Sequence, residues 1–307
     1  TCALPISSSV GFAVVAATGA LGCRHLAYRF LCGRTDASPV GARFHLYLLV
    51  AGVPRWLLPF GYVGGPVINA TYLQRGVGAR FEPTVAALAV SELLALVGSG
   101  FVLGTGFLLV VATGGTLPTG NVTLVGGTFV VLSVAAVVLF ALDGGQRLAS
   151  LARNLGTRAQ ALRDRSAIAA GVASALERVV GLHLRRFVAS LSAIAADRRT
   201  VATVGIVNGL AWFLGVLALY FCAQAVGLPV PIGVAMVTVP LAVAAGMIPV
   251  PGGVGPTEVA FAGLLVALTG AAPATATATA LLYRLSTAGV ELLIGGLASA
   301  YVLAAAR

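Results

Sequence analysis

Residues 248–258 read Ile248-Pro249-Val250-Pro251-Gly252-Gly253-Val254-Gly255-Pro256-Thr257-Glu258. Strongly apolar runs flank them, 230–247 before and 259–268 after. Three prolines and three glycines within nine residues cannot continue a helix. Proline lacks the N–H and clashes one turn back, and glycine disfavours helix entropically. The apolar segment is therefore broken in its middle. A carboxylate, Glu258, stands just past the break, in the first turn of the helix that follows. In lipid an unpaired backbone group costs several kcal/mol, so irregular chain survives at depth only inside protein or beside a wet cavity. The stretch fits a broken or re-entrant element. A short loop between two ordinary helices is the plainer alternative.

Composition decides which of these settings applies. Hydrophobic residues make up 59% of the 307, and charged residues only 9%, against about 25% in a soluble domain. Mean hydropathy is +1.01. The expected fold is all-α, a polytopic integral membrane helix bundle. At about 20 residues per span the length holds roughly seven or eight membrane elements and one sizeable loop. The net charge of +10 comes from arginine alone. In a membrane protein that points to anionic lipid headgroups as partners, not to nucleic acid. Cys2, Cys23, Cys32 and Cys222 have no metal or redox spacing and are expected as free thiols. The chain opens on Thr1 and resembles no signal peptide, so it reads as a piece of a longer protein.

A first helix is expected over 9–31, leading into Arg24, Arg29, Arg34 and Arg43, so 24–43 faces the cytoplasm. Residues 44–60 are apolar but short, interrupted by Pro54-Arg55 and ended by Pro59; the glycine-rich stretch 61–69 follows, then Arg75 and Arg80. Residues 84–113 form a long apolar run with one acid, Glu92. Residues 122–142 make a clean span. Residues 143–199 hold ten arginines and four acids. Their leucines and valines recur at helical spacing, as in amphipathic helices on the membrane or in a solvated cytoplasmic loop. Spans follow at 200–227 and 279–305, the last carrying Arg284 and Glu291.

The arginine bias tests the topology. Segments 24–43 and 143–199 belong inside, and the uncharged segments 114–120, 228–231 and 271–277 belong outside. These agree only if 44–74 enters and returns as a broken hairpin. By the same logic 232–270 enters and returns from the other face. Two Gly/Pro-interrupted hairpins from opposite faces form the pattern of an inverted repeat with a site near the midplane. An ungapped overlay of 58–70 on 248–260 matches Pro59 with Pro249, Gly65 with Gly255, Pro66 with Pro256 and Ala70 with Ala260. The chain thus divides into a first half (9–142), a basic linker (143–199) and a second half (200–305).

The run 249–255, then Glu258, then Leu282-Tyr283-Arg284-Leu285-Ser286-Thr287, resembles the signature of the lysylphosphatidylglycerol synthase membrane region, a flippase-like family. The block Leu58-Pro59-Phe60-Gly61, with Arg75, Gly78 and Ser91-Glu92-Leu93-Leu94, resembles that family's first block. The first block lacks the family's acid, and Glu92 lacks a neighbouring arginine. The family's first helix is also missing. The resemblance implies a membrane domain that binds lipids, or lipid-linked intermediates, and moves them between leaflets. It does not imply lipid aminoacylation, which needs a separate soluble domain.

Ionisable residues in apolar segments cost about 2.5–3.5 kcal/mol each on insertion scales unless paired or hydrated. Glu258, Arg284 and Glu291 are therefore the first candidates for substrate binding, and Arg284 and Glu291, seven apart, share a helix face. Arg284 suits a lipid phosphate because its planar fork donates twice. A buried Glu258–Arg284 pair that clips the hairpin to the last helix is the structural alternative. Pro249, Pro251, Gly252, Gly253, Gly255, Gly61, Gly64, Gly65, Asn69 and Glu92 complete the candidate set, the glycines chiefly as permissive backbone. Helix N-termini beside such breaks attract anionic headgroups. His45 and His183 have no metal-like partners. No nucleophile–base set, nucleotide loop or metal constellation is apparent, so neither an enzyme nor a cofactor is expected. Asn121-Val122-Thr123 is a glycosylation sequon. The expected setting is a multi-pass protein of the cell membrane. Two other readings stay open: a proton-coupled small-solute transporter, and a membrane partner of a lipid-modifying or glycosyl-transferring enzyme.

Overall fold

The structure is a computed structural model. It describes residues 6–34, 41–59, 61–114 and 196–306, together with residues 127, 189–190 and 193–194. All but one residue of the expected span 122–142, the sequon at Asn121 and nearly all of the linker 143–199 lie outside the described residues. Every described element is helical. In chain order they are α1 (Ile6–Arg34), α2 (Ala42–Leu57), α3 (Gly61–Val77), α4 (Phe81–Ala112), α5 (Arg198–Ala225), α6 (Ile232–Ala245), α7 (Pro256–Thr269), α8 (Pro273–Arg284) and α9 (Val290–Ala305).

Three helices form the frame. α1 and α5 run antiparallel, packed over their length: Phe12 meets Phe221, and Arg34 binds Asp197 at 3.4 Å. α4 crosses α5 where Asn208 donates to the Ser91 carbonyl at 3.2 Å. It then crosses α6 so tightly that a Cβ on Gly106 would lie 2.7 Å from Met236 Cβ. These contacts assign an end of the bundle to each helix terminus. One end carries the close of α1, the start of α2, the close of α3 and the starts of α4 and α5. Arg34, Arg43, Arg75, Arg80, Arg198 and Arg199 are exposed there. The other end carries the close of α5, the start of α6, the close of α7 and the start of α8, and 225–232 and 269–273 contain no charge. Each end has its own apolar core, built around Phe44, Leu73 and Leu88 at the first and Leu219, Phe261 and Leu265 at the second.

Two helical hairpins enter this frame. α2 and α3 open at the arginine-rich end, and α6 and α7 open at the uncharged end. The paired helices have 16 and 17 residues in the first and 14 each in the second. At about 1.5 Å per residue they reach roughly 21–26 Å, short of the roughly 30 Å hydrocarbon core. α4, with 32 residues, exceeds that thickness. Among the described residues, five stretches are long and apolar enough to cross a membrane: Ile6–Arg34, Phe81–Ala112, Arg198–Ala225, Pro251–Thr269 and Pro273–Ala305. In Pro251–Thr269 the glycines 252, 253 and 255 have positive φ, so its continuous helix is only α7.

The breaks differ from the sequence expectation in three places. The first hairpin turns at 58–60, and Gly61, Gly64, Gly65 and Asn69 all lie inside α3. Apolar surroundings make an unbonded backbone more costly than glycine's helix penalty, and Pro66 sits far enough along to leave the first turn intact. Consequently Gly255-Pro256 starts α7, whereas Gly65-Pro66 lies within α3, and the ungapped overlay of the two hairpins does not correspond to equivalent structure. The uncharged turn expected at 271–277 is shorter. Gly270 closes α7 at φ 68, and Pro273 already opens α8. α8 continues through a π turn (Leu285–Gly289) into α9. Thr287 caps that irregularity by donating from Oγ1 to the Tyr283 carbonyl at 2.8 Å.

Candidate functional site

The hairpin tips meet near the middle of the bundle. The 3₁₀ turn Pro251–Gly253 packs on α2 and α3. Gly252 has φ 62, and a Cβ there would stand 2.9 Å from the Trp56 carbonyl oxygen. Gly253 has φ 63, and its Cβ would stand 2.9 Å from Gly246 Cα. Both conditions, left-handed backbone and close approach, demand glycine. Gly255, at φ 95, faces open space and is required for its backbone alone. Pro249 precedes the turn and Pro251 opens it.

Glu258 is fixed from two directions. Its Oε2 accepts from the Gly255 N–H at 2.6 Å, half of a capping box at the start of α7. Its Oε1 accepts from Arg284 Nε at 2.6 Å. Arg284 also donates from Nη2 to the Gly252 carbonyl at 2.7 Å. The guanidinium thus ties α8 to both sides of the break. Among the described residues, its Nη1 has no hydrogen-bond partner. Thr257, beside Glu258, is buried, and its hydroxyl has no partner among the described residues.

Glu291 does not join this pair. Seven residues on a regular helix would stack the two side chains, but the π turn between them widens the winding and turns Glu291 away. It instead accepts from Arg55 Nη2 at 2.8 Å. Arg55 lies on α2, at the tip of the other hairpin. Both pairs are withdrawn from solvent: side-chain exposures are 11% and 13% for Arg55 and Glu291, and 10% and 17% for Arg284 and Glu258. Trp56 joins them, with the Arg284 guanidinium 4.9 Å and the Arg55 guanidinium 5.8 Å from its ring centre. Two arginines, two carboxylates and an indole therefore share one site where the two hairpins and the α8–α9 helix meet.

The other candidates fall around or away from it. A Cβ on Gly61 would collide with the Arg55 carbonyl, so Gly61 makes room for Arg55, whereas one on Gly65 would make only ordinary contact with Arg55 Cδ at 3.5 Å. Gly64 has space around it. Asn69 is buried on α3, two turns further from the tip. Glu92 accepts from the Tyr28 hydroxyl at 2.5 Å, which ties α4 to α1. His45 stacks on His25 with centroids 6.1 Å apart. Among the described residues no three His, Cys, Asp or Glu side chains group as a metal site. Among the described residues Cys23, Cys32 and Cys222 form no disulfide.

Arg55 and Trp56 were not among the sequence candidates, where Arg55 read only as an interruption. Charge accounting would have found it: three acids in the apolar segments, Glu92, Glu258 and Glu291, cannot be served by Arg284 alone.

Helices long enough to span, two shorter hairpins and a desolvated charged centre define a multi-pass membrane protein built around an internal polar site. The family model for the lysylphosphatidylglycerol synthase TM region matches residues 6–295, and the chain belongs to that family. No curated protein and no solved structure matches it.

Proposed function

We propose that the protein binds anionic phospholipid, or lipid-linked intermediates, at the meeting point of its two hairpins and moves their headgroups between leaflets. On this reading each hairpin is re-entrant, the two enter from opposite faces, and the arginine-rich end with 143–199 lies in the cytoplasm of a cell-membrane protein. The observation that carries it is the arginine geometry. Arg284 is held by Glu258 and Gly252 with Nη1 still available, beside an indole that also flanks Arg55. A guanidinium held this way offers a bidentate donor edge to a phosphate. The family membership supports a lipid substrate over a soluble one.

The test is movement of a fluorescent phosphatidylglycerol between leaflets of proteoliposomes. Arg284→Ala should abolish protein-dependent movement while the purified variant stays monodisperse. Unchanged movement in a folded variant would remove Arg284 from the function. Uptake of a small solute driven by an imposed proton gradient would favour a transporter instead. Stable co-purification with a membrane enzyme, with no movement of lipid, would favour an accessory role.

A further inference from the structure

The two charge pairs are built differently, and the difference assigns them different jobs. Arg284 and Glu258 both belong to the second hairpin and its adjoining helix. Glu258 uses both oxygens, and Arg284 is additionally bound to the Gly252 carbonyl. The Arg55–Glu291 bond instead joins the first hairpin to α9, across a separate helix crossing. Glycines line that crossing on both sides. A Cβ on Gly52 would lie 3.2 Å from Glu291 Oε1, and one on Gly295 would lie 2.6 Å from the Leu49 carbonyl. Gly295 brings α9 close against α2, and Gly52 leaves space beside the Glu291 carboxylate itself. Arg55–Glu291, which bridges two separate elements, is therefore the exchangeable pair, and Arg284–Glu258, within one unit, is the fixed one.

Charge balance then dictates what exchange requires. The four groups sum to zero. Facing Glu291 are Arg55 from α2, and Arg24 and His25 from α1. His45 stacks behind His25. Beyond the four groups, Arg24 is one added cation and Glu92, which is bonded to Tyr28 one turn along α1 from Arg24, is one added anion. With both counted the shell remains neutral in formal charge. A monoanion entering this site leaves one uncompensated negative charge, and an unpaired buried charge is strongly unfavourable.

We propose that a phosphodiester monoanion binds by displacing Glu291 from Arg55, and that the released Glu291 carboxylate takes up one proton. The Arg55–Glu291 hydrogen bond breaks, a bond from Arg55 to the phosphate oxygen forms, and a proton from solvent neutralises the carboxylate. Net charge is unchanged by binding. This rests on the lipid-binding reading above, and it turns a passive site into one coupled to the proton gradient.

The experiment uses the full chain in detergent. Trp212→Phe leaves Trp56 as the single tryptophan, beside both arginines. Dihexanoyl-phosphatidylglycerol is titrated in from pH 5.5 to 8, a range in which its phosphate does not titrate. Affinity should weaken about tenfold per pH unit as pH rises, the linkage slope for one proton. A weakly buffered pH-indicator measurement should register uptake of one proton per ligand bound. Glu291→Gln, which mimics the protonated acid, should bind at least as tightly as wild type does at pH 5.5, show no pH dependence and take up no proton. If Glu291→Gln does not fold, the wild-type proton count decides alone. Saturable binding with no proton uptake overturns this inference and leaves the lipid reading standing. pH-dependent binding retained in Glu291→Gln overturns it too, placing the proton elsewhere. Glycerophosphoglycerol, the same headgroup without chains, separates the sources. Equal affinity for it, or no saturable binding of the lipid, overturns the lipid reading itself and with it this inference.

Discussion

Gly252 meets Trp56 backbone to backbone: the Trp56 carbonyl occupies the space next to where a Gly252 side chain would begin, 2.9 Å from that Cβ. The contact joins the tips of two hairpins that enter from opposite ends of the bundle, and it holds Trp56 against Arg284. Its dependence on glycine can be measured. Gly252→Ala adds left-handed strain of about 1–2 kcal/mol and a collision with a carbonyl that belongs to the other hairpin. Gly255→Ala meets open space, but φ 95 with ψ −72 is the strained γ region, so it too destabilises, through its own backbone alone. Thermal unfolding in detergent should show a loss for both variants. Leaflet-to-leaflet lipid movement should fall for Gly252→Ala out of proportion to its stability. Equal effects of the two variants on that movement would mean that the tips need not touch.

The fixed pair gives a second measurement. Arg284→Lys keeps the charge but cannot donate to both Glu258 and the Gly252 carbonyl with the planar geometry of a guanidinium. The unbonded carbonyl should cost about 1–3 kcal/mol. Glu258→Gln can still accept from the Gly255 N–H but leaves Arg284 buried without its counter-charge. Breaking a buried pair costs about 3–5 kcal/mol. Glu258→Gln should therefore destabilise more than Arg284→Lys in thermal unfolding, and the reverse order would mean that the carbonyl bond, not the ion pair, holds the break.

The interruption of the second hairpin was legible because its cause is local: three prolines and three glycines allow no helix across 249–256, and Glu258 directly follows. The first hairpin was legible as a hairpin but not in its turning point. Glycines 61, 64 and 65 look like a break in sequence, and only the surrounding apolar packing keeps them helical. The partner of Glu291 was not legible at all. Spacing of seven assumes uniform winding, and nothing in Leu285-Ser286-Thr287-Ala288-Gly289 announces a π turn. Arg55 was hidden for a related reason: its acid lies 236 residues away, beyond the reach of any periodicity.

Asp197 gives a pH prediction outside the spanning segments. It caps α5, accepting from the Thr200 hydroxyl at 2.7 Å and the Thr200 N–H at 3.1 Å. Those hydrogen bonds, and then the Arg34 guanidinium, hold its carboxyl below the ordinary value of 3.8. A lowered value in the folded state means the charged form stabilises. That contribution is fully present above pH 3.8 and is lost as pH falls through the lower folded value. Asp197→Asn keeps a cap acceptor without the charge. Hydrogen exchange at the Thr200 and Val201 amides should speed up below pH 4 in the wild type, and the variant should show no such step. A step that persists in Asp197→Asn would assign it to another acid.

Tyr28 and Glu92 test where the site stops. The Tyr28 hydroxyl, on a side chain only 2% exposed, donates to Glu92 at 2.5 Å. Glu92 is bonded to neither Arg55 nor Arg284 among the described residues. The pair ties α1 to α4 in the frame and makes no hydrogen bond to either charge pair among the described residues. Tyr28→Phe preserves the ring packing and removes the donor, leaving a partly buried carboxylate short of one hydrogen bond. The cost should be about 1–3 kcal/mol, towards the upper end because the acceptor is charged. Glu92→Gln together with Tyr28→Phe removes the charge and should recover part of that loss, because a neutral amide tolerates the missing donor better than a carboxylate does. Under conditions where the single variant remains folded, lipid movement should stay within about twofold of wild type, equivalent to less than about 0.5 kcal/mol in the barrier. Loss of movement in a folded Tyr28→Phe protein would place Glu92 on the path of the headgroup, and the polar site would then extend from the hairpin tips to the α1–α4 crossing.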